Sequence, residues 1–248
     1  MHVSIVGPGR LGRTLAALLS PAHRVELVDR GGRAQAPNVV LAVPDSAIAD
    51  AAQTVPEGAV VLHCSGTTPF GVLRPHRPAG SFHPLMTFPG PEVGIPELTG
   101  VPAAIAGDPE ALALGRALAA ALGMRAIEVP GDRRLYHAAA VIAGNFATVL
   151  LAEASRVLAA AGVPESEAPG LLAPLARQSI ENAGRVGPAH SLTGPVARGD
   201  EATLAGHREA LRDAGLEELL PLYDELTQRA RRLVDEKAVV GAVVGAKV

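Results

Sequence analysis

Two histidines and an asparagine stand out because they lie in polar stretches that an apolar core does not require. His83 stands in a proline-rich stretch that predicts a loop, and His137 precedes Asn145 within one long helical pattern. Histidine titrates near neutral pH and therefore suits proton transfer to a carbonyl or imine. An asparagine on a continuous helix can border the same cleft as His137 and orient an amide or a substrate oxygen. We predict His83, His137 and Asn145 as catalytic residues. The alternatives are a turn cap for His83, a structural hydrogen bond at a domain interface for His137, and a hydrogen bond to the backbone for Asn145.

Three further polar residues lie beside glycines, where a substrate can approach the backbone. Ser65 follows the apolar run 59–63, and Thr193 and Arg198 belong to the sequence S-L-T-G-P-V-A-R-G-D. Arginine offers a forked, fixed charge to a carboxylate. Arg198 with Asp200 is also compatible with an ion pair and a helix cap. We predict Ser65, Thr193 and Arg198 as substrate-binding residues.

The N-terminal stretch predicts the partner for this chemistry. The apolar run 3–6 meets three glycines spaced G-x-G-x-x-G, and helical spacing follows directly. Gly7 permits a tight turn, Gly9 lets a pyrophosphate approach the backbone, and Gly12 lets the helix pack close to the strand. The free N–H groups at the helix start favour the phosphate charge. The predicted cofactor contacts in this turn and after the third strand are Gly7, Gly9, Arg10, Leu11, Gly12, Val43 and Pro44.

The residues alone leave the choice between NAD and NADP open. A second apolar run ends in Asp29, at the position where a ribose hydroxyl is expected to be held. A carboxylate there repels a 2′-phosphate and favours NAD. Arg30, Arg33 and Arg10 favour NADP instead. We predict Asp29 and Arg30 as additional cofactor contacts.

Apolar runs alternate with helical stretches through the first half of the chain, a pattern typical of a parallel sheet with crossover helices. After Asp132 no proline occurs until Pro164, so residues 133–161 are predicted to form one long helix, with further helices beyond. We therefore predict an α/β fold: a Rossmann doubly wound sheet in residues 1–130, followed by an all-helical C-terminal domain in residues 131–248. The second domain is expected to serve substrate binding and dimerisation.

Taken together, the motifs resemble those of the Rossmann-like, DUF2520-containing family of NADP oxidoreductases. From residue 3 to residue 207 they run, in order, G-x-G-R-x-G, H-x-S-G, S-x-H-P-L, Y-H-x-A and L-T-G-P-x-x-R-G-D. The layout is similar to that of pyrroline-5-carboxylate reductases, 6-phosphogluconate dehydrogenases and prephenate dehydrogenases, in which a helical domain often dimerises. The resemblance implies an NAD(P)-dependent oxidoreductase, tips the cofactor towards NADP, and supplies no substrate.

We therefore predict an enzyme that transfers a hydride to or from a small polar molecule such as a keto, imino or hydroxy acid. One alternative is a non-catalytic NAD(P)-binding sensor or scaffold, because no lysine stands near the helical histidine and asparagine. The other is a prephenate-dehydrogenase-like enzyme, an interpretation that depends on His83 and Arg198 alone.

Composition limits the partners. Hydrophobic residues make up 48% of the chain and aromatics only 2%, so the core must be built from Ala, Leu and Val. A net charge of −3 offers no basic field for nucleic acid or anionic lipid. The single cysteine, Cys64, excludes an internal disulfide, and the histidine spacing predicts no metal site. The apolar tail 238–248 is too short to span a bilayer, and we expect a soluble, cytoplasmic homodimer formed through the long helix.

Overall fold

The computed structural model describes the backbone of residues 1–245 and the side chains of residues 1–237. The side chains of the apolar tail, residues 238–248, lie outside the described ones. The chain forms two compact units, Met1–Asn145 and Phe146–Val248. The boundary between these compact units follows Asn145, within the helical region.

The first unit is built on one seven-stranded sheet. Its strands are β1 (His2–Val6), β2 (Arg24–Val28), β3 (Asn38–Leu41), β4 (Val60–His63), β5 (Ala79–Pro84), β6 (Pro102–Gly107) and β7 (Arg125–Glu128). Their order is β2-β1-β3-β4-β5-β6-β7, and every neighbouring pair is parallel except β5 with β6. The strand order reverses between β1 and β3, the point at which ligands of such sheets bind. The predicted doubly wound α/β sheet, followed by helices, is confirmed.

The helices of the first unit flank this sheet. They are α1 (Arg10–Leu19), α2 (Ile48–Ala52), α3 (Pro109–Ala121) and α4 (Arg133–Ala143), with 3-10 turns at Asp45–Ala47 and Phe70–Leu73. The second unit is helical throughout the part that is described. Its elements are α5 (Asn145–Ala160), α6 (Ala168–Val186), α7 (Pro188–Ser191), α8 (Pro195–Arg198), α9 (Glu201–Asp213) and α10 (Leu220–Gly245), with a 3-10 turn at Glu217–Leu219.

Two apolar clusters cover the two faces of the sheet. Leu62 and Phe82 pack with α1 and α3 on one face, whereas Leu41 and Val61 pack with α2 on the other. Successive side chains of a strand point to opposite faces. His63, two residues beyond Val61, therefore shares the second face, at the carboxyl end of β4.

The stretch that contains His83 is strand β5 rather than the loop that its prolines suggested. Pro78 and Pro84 lie before and at the end of the strand, so its ladder to β4 and β6 forms between them. Phe82 is fully buried within this strand. His83 thus lies within a strand and is paired with Ala104 of β6.

The prediction of one continuous helix over residues 133–161 is wrong. Helix α4 ends at Ala143, and α5 begins at Asn145 after a break at Gly144, which has φ −102° and ψ −69°. Glycine is the weakest helix former after proline, so a break there is physically reasonable. The regular helix between His137 and Asn145 is therefore interrupted at Gly144.

The stretch Arg133–Ala160 is long and apolar enough to cross a membrane by length and composition, with a mean hydropathy of 1.6 and none of its apolar window buried. One such stretch is a weak indication of a span, because core helices of soluble proteins have the same composition. Its exposed apolar side chains include Leu135, Ile142, Phe146 and Val149.

Candidate functional site

The glycine turn between β1 and α1 has a different constraint at each glycine. Gly7 has φ +105°, and a Cβ atom there would lie 2.6 Å from the carbonyl oxygen of Ala42. A Cβ atom on Gly12 would overlap the carbonyl oxygen of Gly7, so the helix packs directly on the turn. A Cβ atom on Gly9, by contrast, would have no atom within 4 Å. Gly7 and Gly12 thus shape the turn, and Gly9 leaves space in front of it.

Gly9 is also the N-cap of α1, and no side chain caps the helix there. The N–H groups of the first turn are consequently available to an anion, which the helix dipole favours. The turn is tied to both neighbouring strands, because the Gly7 N–H donates to the Val28 carbonyl and the Ala42 N–H donates to the Val6 carbonyl. It therefore occupies the point where the strand order reverses.

The other predicted cofactor residues lie around this turn. Val43 follows β3, and one of its methyl groups lies 2.9 Å from the Cβ position of Gly7. Exposed Pro44 comes next. Asp29 and Arg30 are exposed after β2, in a turn that the Gly32 N–H closes on the Asp29 carbonyl at 3.0 Å. Arg10 is exposed and Leu11 is half-buried in the first turn of α1.

Ser65 is buried in the loop after β4, and its hydroxyl is fully engaged there. It donates to Oδ2 of Asp45 at 2.8 Å and accepts the N–H groups of Thr67 at 3.2 Å and Thr68 at 2.9 Å. A hydroxyl with its donor and both acceptor sites used has no capacity for a substrate. The hydroxyl of Ser65 thus holds the loop in this structure, and its substrate-binding role stays a prediction.

His83 meets two residues of α4. Its Nδ1 atom lies 2.8 Å from the hydroxyl oxygen of Tyr136, and its ring centroid lies 6.1 Å from that of His137 in an edge-on arrangement. A Cβ atom on Gly66 would lie 2.6 Å from the His137 ring and 2.9 Å from Nε2 of His83. The glycine after Ser65 therefore allows the β4 loop to pack against both imidazoles.

Burial sets the protonation states in this cluster. It lowers the pKa of His83 to about 4, and the positive charges of His137 and Arg133 act in the same direction. It also lowers the pKa of His63, at the end of β4, to about 4. Burial raises the pKa of the Tyr136 phenol. At neutral pH the His83 and His63 rings are thus uncharged, and Tyr136 keeps its proton.

Arg133, the first residue of α4, completes the cluster. One of its terminal nitrogens donates to the carbonyl oxygen of Ser65 at 2.9 Å, and burial lowers its pKa. Among the described residues, four buried side-chain polar atoms lack a hydrogen-bond partner. Three of them are Nε2 of His63, Oγ of Ser81 and Nε of Arg133. Ser81 is the register partner of His63, so two of these atoms belong to neighbouring strands on one face.

The structure brings two of the predicted catalytic residues together, His83 and His137. Asn145 is exposed at the start of α5 and forms no hydrogen bond with either histidine. Thr193 and Arg198 are exposed and belong to the second unit. Arg198 lies 3.9 Å from Asp200, which accepts the Thr203 N–H as the N-cap of α9. The ion pair and cap are therefore both present.

The predicted site residues did not include Arg133, Tyr136 or Asp45, although Tyr136 belongs to the Y-H-x-A motif. A signal was available, because Arg133, Tyr136 and His137 stand at positions i, i+3 and i+4, the spacing that places side chains on one helix face. The preceding Asp132 caps α4 through the Arg134 N–H. A polar face in the first turn of an otherwise apolar helix indicates a candidate functional site.

A buried cysteine and an apolar cavity are two further features of the described residues. Cys64 is buried, and burial raises its pKa to about 12, so it is a thiol rather than a nucleophilic thiolate. The second unit contains an apolar cavity of about 570 Å³ lined by α5, α9 and α10, whose polar residues include His207 and Tyr223. No group of three or more His, Cys, Asp or Glu side chains arranged for a metal occurs within residues 1–237.

The chain matches one protein family, and several solved structures share its fold. A family described as a domain of unknown function, DUF2520, matches residues 101–230. No curated protein matches the sequence. A Bacteroides fragilis protein provisionally named an NADP oxidoreductase has 23% identity and a TM-score of 0.74, over 93% of this chain and 97% of its own. A reductive aminase from Aspergillus terreus, solved with NADPH and ethyl levulinate, has 18% identity and a TM-score of 0.64, over 93% of each chain.

A protein from Thermotoga maritima is similar over almost its whole length. It has 24% identity and a TM-score of 0.70, over 95% of this chain and 99% of its own. At these identities the likeness establishes the fold, and function must be argued from the site.

Proposed function

This chain belongs to the DUF2520 family, and from that membership and the geometry of its first unit we propose that it is an NAD(P)-dependent oxidoreductase acting on a small polar keto, imino or hydroxy acid. One observation carries the proposal. A single sheet edge holds both a glycine turn that is open in front of Gly9 and a half-buried pair of proton-carrying groups, His83 and Tyr136. A dinucleotide site and a proton donor are the two parts that hydride transfer requires of the protein.

The turn fits a dinucleotide in shape and charge. The open Gly9 position and the N–H groups of α1 would hold the pyrophosphate, and Val43 and Pro44 would border it. Arg30 and Arg33 form no ion pair among the described residues and would bind a 2′-phosphate, so we favour NADP. The named cofactors of the Bacteroides and Aspergillus proteins support this choice. When bound, the nicotinamide supplies or accepts the hydride.

His83 and Tyr136 would manage the accompanying proton. With the Tyr136 hydroxyl donating to Nδ1, the hydrogen of the neutral His83 ring is on Nε2, which has no other partner among the described residues. Nε2 would donate this hydrogen to the substrate oxygen or nitrogen while the Tyr136 proton moves to Nδ1. The positive charge of Arg133 stabilises the resulting phenolate. In the oxidative direction the same protons return.

Binding and turnover test this proposal separately. Purified protein is titrated with NADPH and NADH while nicotinamide fluorescence is followed, and reduced-nicotinamide absorbance is then monitored with a panel of keto, imino and hydroxy acids. We expect NADPH binding and turnover of at least one compound, with turnover lost in His83→Ala. Tight cofactor binding without turnover, unchanged in His83→Ala, would favour the sensor interpretation instead.

We also propose that the enzyme is a soluble homodimer. The second unit exposes large apolar side chains on this single chain, and monomers rarely tolerate extensive apolar surface. These exposed residues are Phe146, Val149, Leu150, Val157, Leu171, Leu175, Ile180, Val186, Leu222 and Leu226. A second copy would cover part of this surface, as the membrane would in the competing interpretation of residues 133–160.

A further inference from the structure

Arg133 is a half-buried cation that no carboxylate neutralises within the described part of the chain. Its one hydrogen bond goes to the Ser65 carbonyl oxygen, its Nε atom is buried without a partner, and it forms no ion pair. The nearest acid in the sequence, Asp132, is already bound by the guanidinium of Arg134 at 2.6 to 3.0 Å. Arg133 therefore keeps most of its five donors for something other than this protein.

The groups around Arg133 do not supply a negative charge in contact with it. His63 and His83 are neutral at pH 7, and Tyr136 keeps its proton. Asp45, the acid of this sheet edge, accepts from the Ser65 hydroxyl and makes no ion pair with Arg133. A buried donor without an acceptor is destabilising, and a charged one more so. The cluster is thus built to receive an anion.

We propose that Arg133 binds the carboxylate of the substrate, and that the substrate is a short 2-oxo acid or the corresponding imino or hydroxy acid. This inference rests on the proposed function, because His83 and Tyr136 must act on the carbon next to that carboxylate. Arg133 and Tyr136 lie at i and i+3 on α4, where Cβ atoms are about 5 to 6 Å apart. Because Tyr136 is hydrogen-bonded to His83, this spacing brings the guanidinium near the proton donor, as a carboxylate next to a reacting carbonyl requires.

For the same reason, we assign the contact with the substrate carboxylate to Arg133 instead of the predicted residue, Arg198. That side chain is 65% exposed and lies 3.9 Å from Asp200, so it is already paired in water. Arg133, by contrast, is partly desolvated and unpaired. A planar guanidinium in such a setting binds a carboxylate by two parallel hydrogen bonds.

The test compares acids with neutral analogues of the same shape. Pyruvate and 2-oxobutanoate, and their primary amides, are titrated into the protein with and without saturating NADP⁺, and the histidine ring resonances are followed by NMR. The variants are Arg133→Gln and Arg133→Lys. Arg134→Gln is the matched control, because Arg134 is the next residue of the same helix and is 82% exposed.

We expect the acids to bind wild type at least about tenfold more tightly than the amides, because charged hydrogen bonds of this kind are worth a factor of ten or more. Arg133→Gln should abolish the preference, Arg133→Lys should keep part of it, and Arg134→Gln should leave it intact. Equal binding of acids and amides by wild type, failure of both acids to bind, or a preference that persists in Arg133→Gln would overturn the proposal.

Two controls separate this inference from the others. Retained resonance dispersion in Arg133→Lys shows that the variants fold. An Arg133-dependent acid preference in a protein that binds no NADPH would leave the anion site standing and refute the oxidoreductase. NADPH binding with equal turnover of acids and amides would instead support the oxidoreductase and refute the anion site at Arg133.

Discussion

Nδ1 of His83 lies 2.8 Å from the hydroxyl oxygen of Tyr136, and the two rings meet edge-on at 85°. The chain has only one other tyrosine, Tyr223, which forms the same arrangement with His207 at 2.7 Å and 89°. The first pair lies against Gly66 at the sheet edge, whereas His207 is exposed in the second unit. The protein thus contains its own matched control for the chemistry of this pair.

Tyr136→Phe should lower kcat about 100-fold, because it removes the proton that replenishes His83. Cofactor affinity should be unchanged, since Tyr136 lies outside the glycine turn. Steady-state absorbance assays measure both quantities. Tyr223→Phe removes the equivalent hydroxyl and should leave kcat at the wild-type value; equal losses in the two variants would contradict the assignment.

Two alanine substitutions in the glycine turn should separate cofactor binding from folding. Gly9→Ala places its Cβ atom in open space, so the free energy of unfolding should change by less than about 0.5 kcal/mol. NADPH affinity should nevertheless fall about tenfold or more, because the methyl group obstructs the pyrophosphate.

Gly12→Ala should instead destabilise the fold by about 1 to 3 kcal/mol, since its Cβ atom overlaps the Gly7 carbonyl oxygen. Urea unfolding and fluorescence titration of both variants check the contrast. Undiminished NADPH binding by a folded Gly9→Ala protein would mean that the dinucleotide lies elsewhere.

Charge after β2 should select the cofactor. In the double variant Arg30→Ala with Arg33→Ala, NADPH affinity should fall about tenfold, and NADH affinity should stay constant, because only NADPH carries a 2′-phosphate. Arg125→Ala removes an exposed arginine from the edge strand β7 and is the control. An equal loss for NADPH and NADH would assign these arginines to the shared part of the cofactor.

His63 should make stability depend on pH. Its folded-state pKa of about 4 lies below the ordinary 6.5, so between these values the unfolded chain binds the extra proton. The contribution of the uncharged His63 ring to the free energy of unfolding is complete above pH 6.5 and is lost as the pH falls towards 4. From pH 7 to pH 5 the loss for this buried ring is about 2 kcal/mol.

Urea unfolding at the two pH values checks this expectation. His63→Gln, which cannot titrate, should lose about 2 kcal/mol less than wild type over that interval. His190→Gln, at an exposed position, should behave like wild type. Parallel pH dependences of His63→Gln and wild type would show that other groups dominate.

The oligomeric state follows from the exposed apolar residues of the second unit. Light scattering should give a mass of twice 25.3 kDa at micromolar protein. Leu175→Glu, at a position of α6 that is 67% exposed, should shift the mass towards one chain by burying a charge in the interface. Arg177→Glu, two positions along the same helix and therefore on its other side, is the control. A monomeric wild type would refute the dimer.

Local patterns predicted the fold well, because strand and helix signals in the first half are strong and short-range. The roles expected for Gly7, Gly9 and Gly12 agree with the space that surrounds each one. The types and bounds of elements that depend on non-local packing were harder to predict from the sequence. The prolines around β5 suggested a loop, yet pairing with β4 and β6 decides its conformation.

The candidate site was only partly predictable for the same reason. His83 and His137 were singled out by residue type, and the structure places them side by side. Arg133 was overlooked, because an arginine pair after a helix cap is typical of a solvated surface. Only the approach of the β4 loop, through the Ser65 carbonyl, reveals that one arginine of the pair is partly buried and the other is not.

The reversal of β6 limits the size of the ligand. Strands β1 to β5 all send their carboxyl ends to one edge, but β6 and β7 point the other way and present their amino ends there. The loops at the carboxyl ends of the strands, which can contact a ligand, therefore extend only as far as His83. Under the proposed function, a substrate between Gly7 and His83 would share this edge with a whole dinucleotide, so we expect it to be a compact metabolite.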